Sequence, residues 1–273
     1  MTELDQWQTE LSDLPTEPRQ IAEMVQGLII HEFWASLYGV NLAQPRLEEL
    51  RTRPSSAMVQ LILELDSSPL SIRREPGRRM VGNCRHFSTL ACALFRQVDV
   101  PARARCGFSN YFEAGKNLDH WIVEYWAGER WVGLDAQLDD LQLESISADF
   151  NPSDVPSDRF LSGAEAWSRC RTGEADPSTF GILDMYGLWF IHSNLIRDLA
   201  ALNKVELLPW DVWGPMTFQS DPDPATADRA DQVAEVILSG DASAIRQLYV
   251  ESGAFQVPEK VFDARFGVEA EVS

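Results

Sequence analysis

Cysteine is scarce in this chain, with four residues at positions 84, 92, 106 and 170 of 273, and no two of them form a C-x-x-C pair. Four cysteines are too few for a disulfide scaffold, and a zinc site usually uses tighter ligand pairs. We therefore expect four free thiols in a reducing cytosol.

Positive charge is also scarce, because 23 Lys and Arg residues face 42 Asp and Glu residues, a net charge of −19. This charge repels phosphate backbones and anionic lipid head groups. We expect neither a nucleic-acid partner nor a membrane partner. Hydrophobic residues make up 45% and charged residues 24% of the chain, which is typical of a globular protein and excludes disordered and fibrous classes.

Long apolar runs are missing as well. The longest stretch, Val25 to Val40, contains Gln26, His31 and Glu32 and falls short of the roughly 20 apolar residues of a membrane span. It is interpreted as a buried helix. The first ten residues, MTELDQWQTE, are acidic where a secretory signal would be basic, so a cytoplasmic location is predicted.

A helix that begins at a cysteine is the most informative local pattern. In VGNCRHFSTLACALFRQV, apolar residues recur at helical spacing from Phe87 to Val98, and Gly82-Asn83 supplies a turn and an N-cap. Cys84 is then the first helical residue. The positive end of a helix dipole favours a thiolate, and the free N–H groups of a helix start can hold an oxyanion.

Three strands are predicted after this helix. The segment VPARARCGF alternates in polarity, and DHWIVEYW and RWVGLDAQ follow it, separated by Ala127-Gly128. A two-residue loop at Ala127-Gly128 would place His120 directly opposite Asp135. Residues so paired have Cβ atoms roughly 4.5–5.5 Å apart, so the carboxylate could accept the imidazole N–H, whereas a one-residue change in the loop would separate them.

The order of these motifs resembles a known family. A cysteine in GNC at a helix start, a histidine 36 positions later in DHWIVEYW and an aspartate 15 positions further in RWVGLDAQ are similar to the catalytic core of the transglutaminase-like superfamily, within the papain-like thiol enzymes. The resemblance covers roughly residues 80–140. It implies a stand-alone cytoplasmic member with an α+β fold, in which a helix packs on an antiparallel sheet and further helices lie before and after.

The resemblance also implies an activity. Cys84 would attack an amide, ester or thioester carbonyl, His120 would serve as general base and then acid, and Asp135 would orient His120. The acyl-enzyme would be resolved by water, as in a protease or amidase, or by an amine, as in transamidation or amide synthesis. The partner would be a peptide, a protein or a small molecule that carries the carbonyl. No calcium loop is present, so calcium dependence is not implied. Neither a metal nor an organic cofactor is expected.

Two domains or parts are predicted. Residues 1–217 would form the transglutaminase-like domain with its flanking helices, and residues 218–273 would form a linker and a small helical tail. The polar, proline-interrupted stretch QSDPDPATADR marks the linker. The oligomeric state is not indicated.

Several alternatives remain open at this point. Asn83, Trp121 and Gln137 are further candidates for substrate contacts, although Trp121 is at least as well explained by packing. Asp119 or Asp139 could replace Asp135, but Asp119 should point to the other face of its strand. His86 and His192 could join Cys84 and His120 in a metal site. A catalytically silent binding or scaffold module is the alternative function.

Overall fold

The computed structural model describes residues 1–272 and is an α+β fold, which confirms the predicted class. The helices are α1 Pro18–Leu28, α2 Ser55–Leu65, α3 Cys84–Gln97, α4 Asp140–Ser145, α5 Gly163–Thr172, α6 Leu188–Leu202, α7 Pro224–Leu238 and α8 Ala242–Glu251. The strands are β1 Ile29–His31, β2 Met80–Gly82, β3 Ala102–Ser109, β4 Asn117–Trp126, β5 Trp131–Leu134, β6 Phe160–Ser162, β7 Phe180–Ile182, β8 Met185–Tyr186, β9 Asp211–Val212, β10 Lys260–Asp263 and β11 Val268–Glu271.

The chain divides into two compact units that are not consecutive in sequence. Unit 1 consists of Met1–Ala104 with Ile122–Val155, and unit 2 consists of Arg105–Trp121 with the chain from Pro156 onward. The limits of the units fall inside β3 and β4. Residues 218–272 belong to unit 2, and the predicted boundary at residues 217/218 stays a prediction.

The core of unit 1 is built around α3. All its residues from Cys84 to Phe95 are buried, so its start is fixed by packing as well as by its cap. A buried apolar cluster joins α3 to α1, α2 and the strands; among its members are Ile21, Val25, Met58, Ile62, Leu90, Leu94, Val123 and Leu134. This is a helix packed on a sheet, as expected.

The apolar stretch from Val25 to Val40 is not one helix, so that prediction is wrong. The helix α1 ends at Leu28, and Ile29–His31 forms β1, which pairs in parallel with β2 at Ile30 and Val81. An extended segment buried on both faces has no polar alternation, so its sequence cannot be told from a buried helix. Among residues 1–272 no helix is both long enough and apolar enough to span a membrane.

The β4–β5 hairpin in unit 1 has a longer loop than predicted. Trp126 pairs with Trp131 and Val123 with Leu134, so the connection is Ala127–Arg130 and not Ala127-Gly128 alone. The loop is closed by the Ala127 N–H, which donates to the Arg130 carbonyl at 3.0 Å. The predicted direct opposition of His120 and Asp135 is therefore wrong. The loop is longer by an even number of residues, which shifts the register by two and leaves the alternation of faces unchanged.

Unit 2 contains a mixed arrangement of strands rather than a purely antiparallel one. The pairs β3–β6 and β7–β8 are antiparallel, whereas β4 and β7 are parallel, with Asn117 opposite Phe180. The helices α5, α6 and α7 pack on one another, and β9, β10 and β11 form a small separate sheet. Residues 224–272 thus hold the predicted helices, as α7 and α8, and two strands that were not predicted, β10 and β11.

Candidate active site

Cys84 is the first residue of α3, as predicted, and its side chain is 7% exposed. Asn83 caps the helix, because its Oδ1 accepts a hydrogen bond from the Arg85 N–H at 3.2 Å. The imidazole of His86 completes a reciprocal cap, with Nδ1 3.2 Å from the Asn83 nitrogen and 2.8 Å from Asn83 Oδ1. The cap fixes where the helix begins and hence where the thiol lies.

The N–H groups that follow Cys84 are engaged within this cap. The Arg85 N–H is taken by the Asn83 side chain, and the His86 N–H donates to the Asn83 carbonyl at 2.8 Å. These two groups therefore cannot serve as oxyanion donors without breaking the cap. The expectation that the helix start offers several free donors is thus wrong for Arg85 and His86, because the side chain of Asn83 satisfies one of them.

His86 is fully buried, and burial lowers its pKa well below the ordinary range, with Arg85 and His31 acting in the same direction. It is therefore neutral at neutral pH and acts as part of the helix cap. Among residues 1–272 no group of three or more His, Cys, Asp or Glu side chains is arranged to hold a metal ion. The alternative of a metal site with His86 and His192 has no support in this geometry.

His120 lies in the middle of β4 and is 2% exposed. Two aromatic rings from the segment after β3 pack edge-to-face against its imidazole: Tyr111, with ring centroids 5.8 Å apart, and Phe112, at 5.0 Å. These contacts restrict rotation of the imidazole. No motif in the sequence pointed to Tyr111 and Phe112, since they lie in an irregular segment without periodicity.

Asp135 follows the last residue of β5 and is 1% exposed. Its carboxylate accepts the N–H of Gln137 at 3.0 Å, and its own N–H donates to the Pro152 carbonyl at 2.8 Å. The loop itself thus orients the carboxylate.

Asp119 and Asp139, the two alternatives to Asp135, form hydrogen bonds with other parts of the protein. Asp119 accepts a hydrogen bond from Asn194 Nδ2 at 2.8 Å, and burial raises its pKa. It turns to α6, in agreement with its expected direction. Asp139 is the N-cap of α4 and accepts the Gln142 N–H at 3.1 Å and the Tyr38 hydroxyl at 2.8 Å.

The three further candidates for substrate contacts are all buried. Asn83 acts as the helix cap, Trp121 is completely enclosed, and the side chain of Gln137 donates to Gln142 Oε1 at 3.0 Å. None of the three side chains presents an open surface in this structure. Their role in substrate binding stays a prediction.

The other three cysteines have different surroundings. Cys92 and Cys106 are fully buried, as expected of packing residues. Cys170 is half-buried, and burial raises the pKa of its thiol to about 11, with Asp176 adding to the shift. It is therefore a poor nucleophile at neutral pH and a useful internal reference.

Cavities do not by themselves locate the site. One of about 280 Å³ lies between Thr9 and Ser71 in unit 1 and is lined by none of the candidate residues. A smaller one, of about 90 Å³, is lined by Asp135, Gln26, Leu138 and neighbours. Its volume suits a few water molecules and not a substrate.

Comparison with protein families gives one match. The model described as the transglutaminase-like superfamily matches residues 74–136, a segment that includes Cys84, His120 and Asp135. Residues 74–136 are therefore similar to the core of this superfamily. The match indicates a papain-like cysteine enzyme and names no reaction. Searches of curated proteins and of solved structures each found no match.

The matched segment includes α3, β3, β4 and β5; Cys84 lies on α3, His120 on β4, and Asp135 directly after β5. The predicted recognition is confirmed over this segment. The match ends at residue 136, so Gln137 and the following residues lie outside it, as does everything before Arg74.

Proposed function

We propose that this protein is a cysteine-dependent acyl-transfer enzyme in which Cys84, His120 and Asp135 form a catalytic triad. The observation that carries the proposal is that Cys84 is the first residue of a capped helix inside the family match. A helix N-terminus stabilises a thiolate, and the thiolate is the nucleophile in this chemistry. The order of the three residues along the chain supports the remaining assignments.

The proposed reaction has two halves. The Cys84 thiolate attacks the carbonyl carbon of an amide, ester or thioester, and the tetrahedral intermediate collapses when the leaving group departs with a proton from His120. The product is a thioester on Cys84. A water molecule or an amine then attacks this thioester and gives its proton to the imidazole of His120, and the C–S bond breaks to release the acid or the new amide and to restore the Cys84 thiolate.

His120 and Asp135 each have a defined role in the proposed reaction. The rings of Tyr111 and Phe112 hold the imidazole of His120, and Asp135 fixes its tautomer and stabilises the imidazolium that forms. The Gln137 N–H holds the Asp135 carboxylate on one oxygen.

The first test is alkylation of each cysteine by iodoacetamide as a function of pH, followed by peptide mass spectrometry. We expect Cys84 to react rapidly below pH 7 in the wild type and to lose this reactivity in His120→Ala. Cys170 serves as the internal reference in both proteins, because the raised pKa of its thiol makes it slow at neutral pH. Circular dichroism checks that His120→Ala is folded.

If Cys84 reacts no faster than Cys170 in folded wild-type protein, the triad does not exist and the chain is better regarded as a silent binding module. If Cys84 is reactive, p-nitrophenyl acetate is the probe for turnover, with and without hydroxylamine. Release of nitrophenolate that requires Cys84 shows acyl transfer. A rise in turnover and formation of the hydroxamate when hydroxylamine is added would show that an amine can resolve the acyl-enzyme.

A further inference from the structure

A chain of hydrogen bonds in unit 1 leads from Asp139 to the residue that holds Asp135. The Tyr38 hydroxyl donates to Asp139 Oδ1 at 2.8 Å, and Gln142 Nε2 donates to the Tyr38 oxygen at 2.9 Å. Gln137 Nε2 in turn donates to Gln142 Oε1 at 3.0 Å. We call Tyr38, Gln142 and Gln137 the relay.

The direction of the relay is determined by its end. A carboxylate only accepts hydrogen bonds, so the Tyr38 hydroxyl must donate to Asp139, and burial raises the pKa of Tyr38, which keeps that proton in place. The Tyr38 oxygen can then only accept from Gln142, which turns the oxygen of Gln142 towards Gln137. The amide orientations of both glutamines follow from this sequence of donors and acceptors.

The same constraint leaves one buried acceptor without a donor. Gln137 Oε1 has no hydrogen-bond partner among residues 1–272. A flip of the Gln137 amide would place this oxygen against Gln142 Oε1, so the side chain cannot relieve the loss without breaking the relay. A buried acceptor without a donor costs free energy. The contacts that hold Gln137 in this position must therefore outweigh that cost.

The position of Gln137 matters because its backbone holds Asp135. The Gln137 N–H donates to Asp135 Oδ1, while the Leu138 carbonyl accepts from Gln26 Nε2 of α1 at 3.1 Å. The segment from Asp135 to Asp139 is thus fastened by α1, by the relay and by Pro152. Of these three supports, the relay acts through the side chain of Gln137, whose N–H donates to the Asp135 carboxylate.

We propose that Tyr38, Gln142 and Gln137 are positioning residues that hold the Asp135 carboxylate in the orientation that the triad needs. The inference rests on the proposed function. Tyr38 and Gln142 both lie outside the family match at residues 74–136, so this support is supplied by parts of the chain around the core.

The test is Tyr38→Phe, which removes one hydroxyl and keeps the ring. With Asp135 less firmly oriented, we expect kcat for p-nitrophenyl acetate to fall about tenfold while KM stays unchanged, because a misoriented group affects the chemical step and not binding. The pH at which Cys84 alkylation is half-maximal should rise. Amide hydrogen exchange at Gln137 should become faster, and this readout does not depend on activity.

Tyr249→Phe is the matched control, since the Tyr249 hydroxyl is also hydrogen-bonded but lies in unit 2, where it accepts from the Val257 N–H at 3.1 Å. It should change none of the three readouts. If Tyr38→Phe also leaves all three unchanged while wild-type Cys84 is reactive, the relay has no positioning role and the inference is overturned. If wild-type Cys84 is an ordinary thiol, the proposed function has failed, and the inference falls with it.

Discussion

Each unit contains a buried polar cluster, and the two are built from different kinds of interaction. In unit 1, the relay joins two amides and a phenol between the carboxylates of Asp135 and Asp139. In unit 2, Arg105 binds Asp198 through two parallel hydrogen bonds of 2.9 Å, and the Cys106 N–H adds a third to the same carboxylate. One cluster is made mainly of neutral groups and the other is centred on a buried ion pair.

The unit 2 cluster extends along α6. Asn194 links Asp119, whose pKa is raised by burial, to Arg197, whose guanidinium donates to Asn194 Oδ1 at 3.1 Å. Burial lowers the pKa of Arg197 as well. Both shifts have the same cause, the cost of removing a charge from water.

The difference suggests a division of roles. A neutral hydrogen bond contributes about 1 kcal/mol, and its loss disturbs geometry more than stability. A buried ion that loses its partner costs several kcal/mol, because the remaining charge stays desolvated. We therefore expect the unit 2 cluster to dominate the free energy of unfolding and the unit 1 relay to affect the chemistry of Asp135.

The largest effect is expected for Asp198→Asn. The substitution keeps the size of the side chain and one acceptor, but removes the negative charge that pairs with the buried guanidinium of Arg105 at 2.9 Å. Urea unfolding should show a loss of about 4 kcal/mol. Asp228→Asn is the control, because this exposed carboxylate lies 3.8 Å from Arg171, and its loss should change stability by less than about 0.5 kcal/mol. Equal effects of the two variants would remove the contrast between the clusters.

The next largest effect is a dependence of stability on pH that comes from His192 in α6. It is fully enclosed and packs on Trp167 with ring centroids 5.5 Å apart, and neither ring nitrogen has a hydrogen-bond partner among residues 1–272. Burial lowers its pKa from the ordinary 6.5 to about 4. Between pH 6.5 and about 4, His192 therefore binds a proton in the unfolded chain but not in the folded chain.

The stabilisation linked to His192 is thus complete above pH 6.5 and is lost as the pH falls towards 4, by about 3 kcal/mol in total. Urea titrations at several pH values measure it. Between pH 6.5 and 4, the free energy of unfolding of His192→Phe should fall by about 3 kcal/mol less than that of the wild type. The contribution of His86 in unit 1 remains in both proteins. An unchanged slope in His192→Phe would show that His192 is not the responsible group.

Local patterns allowed much of the core to be predicted from the sequence. The turn at Gly82-Asn83 followed by apolar residues at helical spacing predicts the start of α3 at Cys84, and the alternation from Ala102 to Phe108 predicts β3. These signals are local, because a cap and an alternation need only neighbouring residues. The family resemblance rested on the same segments.

Features that depend on distant partners could not be predicted. The loop Ala127–Arg130 was expected to be shorter, because Ala127-Gly128 alone fits a tight turn and the pairing of Trp126 with Trp131 is set by cross-strand packing. The relay brings Tyr38 to residues about a hundred positions later, and single polar residues so far apart have no periodic signal. The interleaving of the two units along the sequence also depends on contacts between residues that are far apart in the chain.

The smallest effect on stability is expected for Tyr38→Phe. The variant loses the hydrogen bonds of one half-buried hydroxyl and leaves Gln142 Nε2 without its acceptor, so the free energy of unfolding should fall by about 1 kcal/mol. Urea unfolding of this variant beside Asp198→Asn tests the comparison directly. A loss of about 3 kcal/mol or more, instead of the expected loss of about 1 kcal/mol, would mean that the relay itself contributes strongly to the stability of unit 1. A small loss, together with slower chemistry at Cys84, would show that its hydrogen bonds act on the orientation of Asp135.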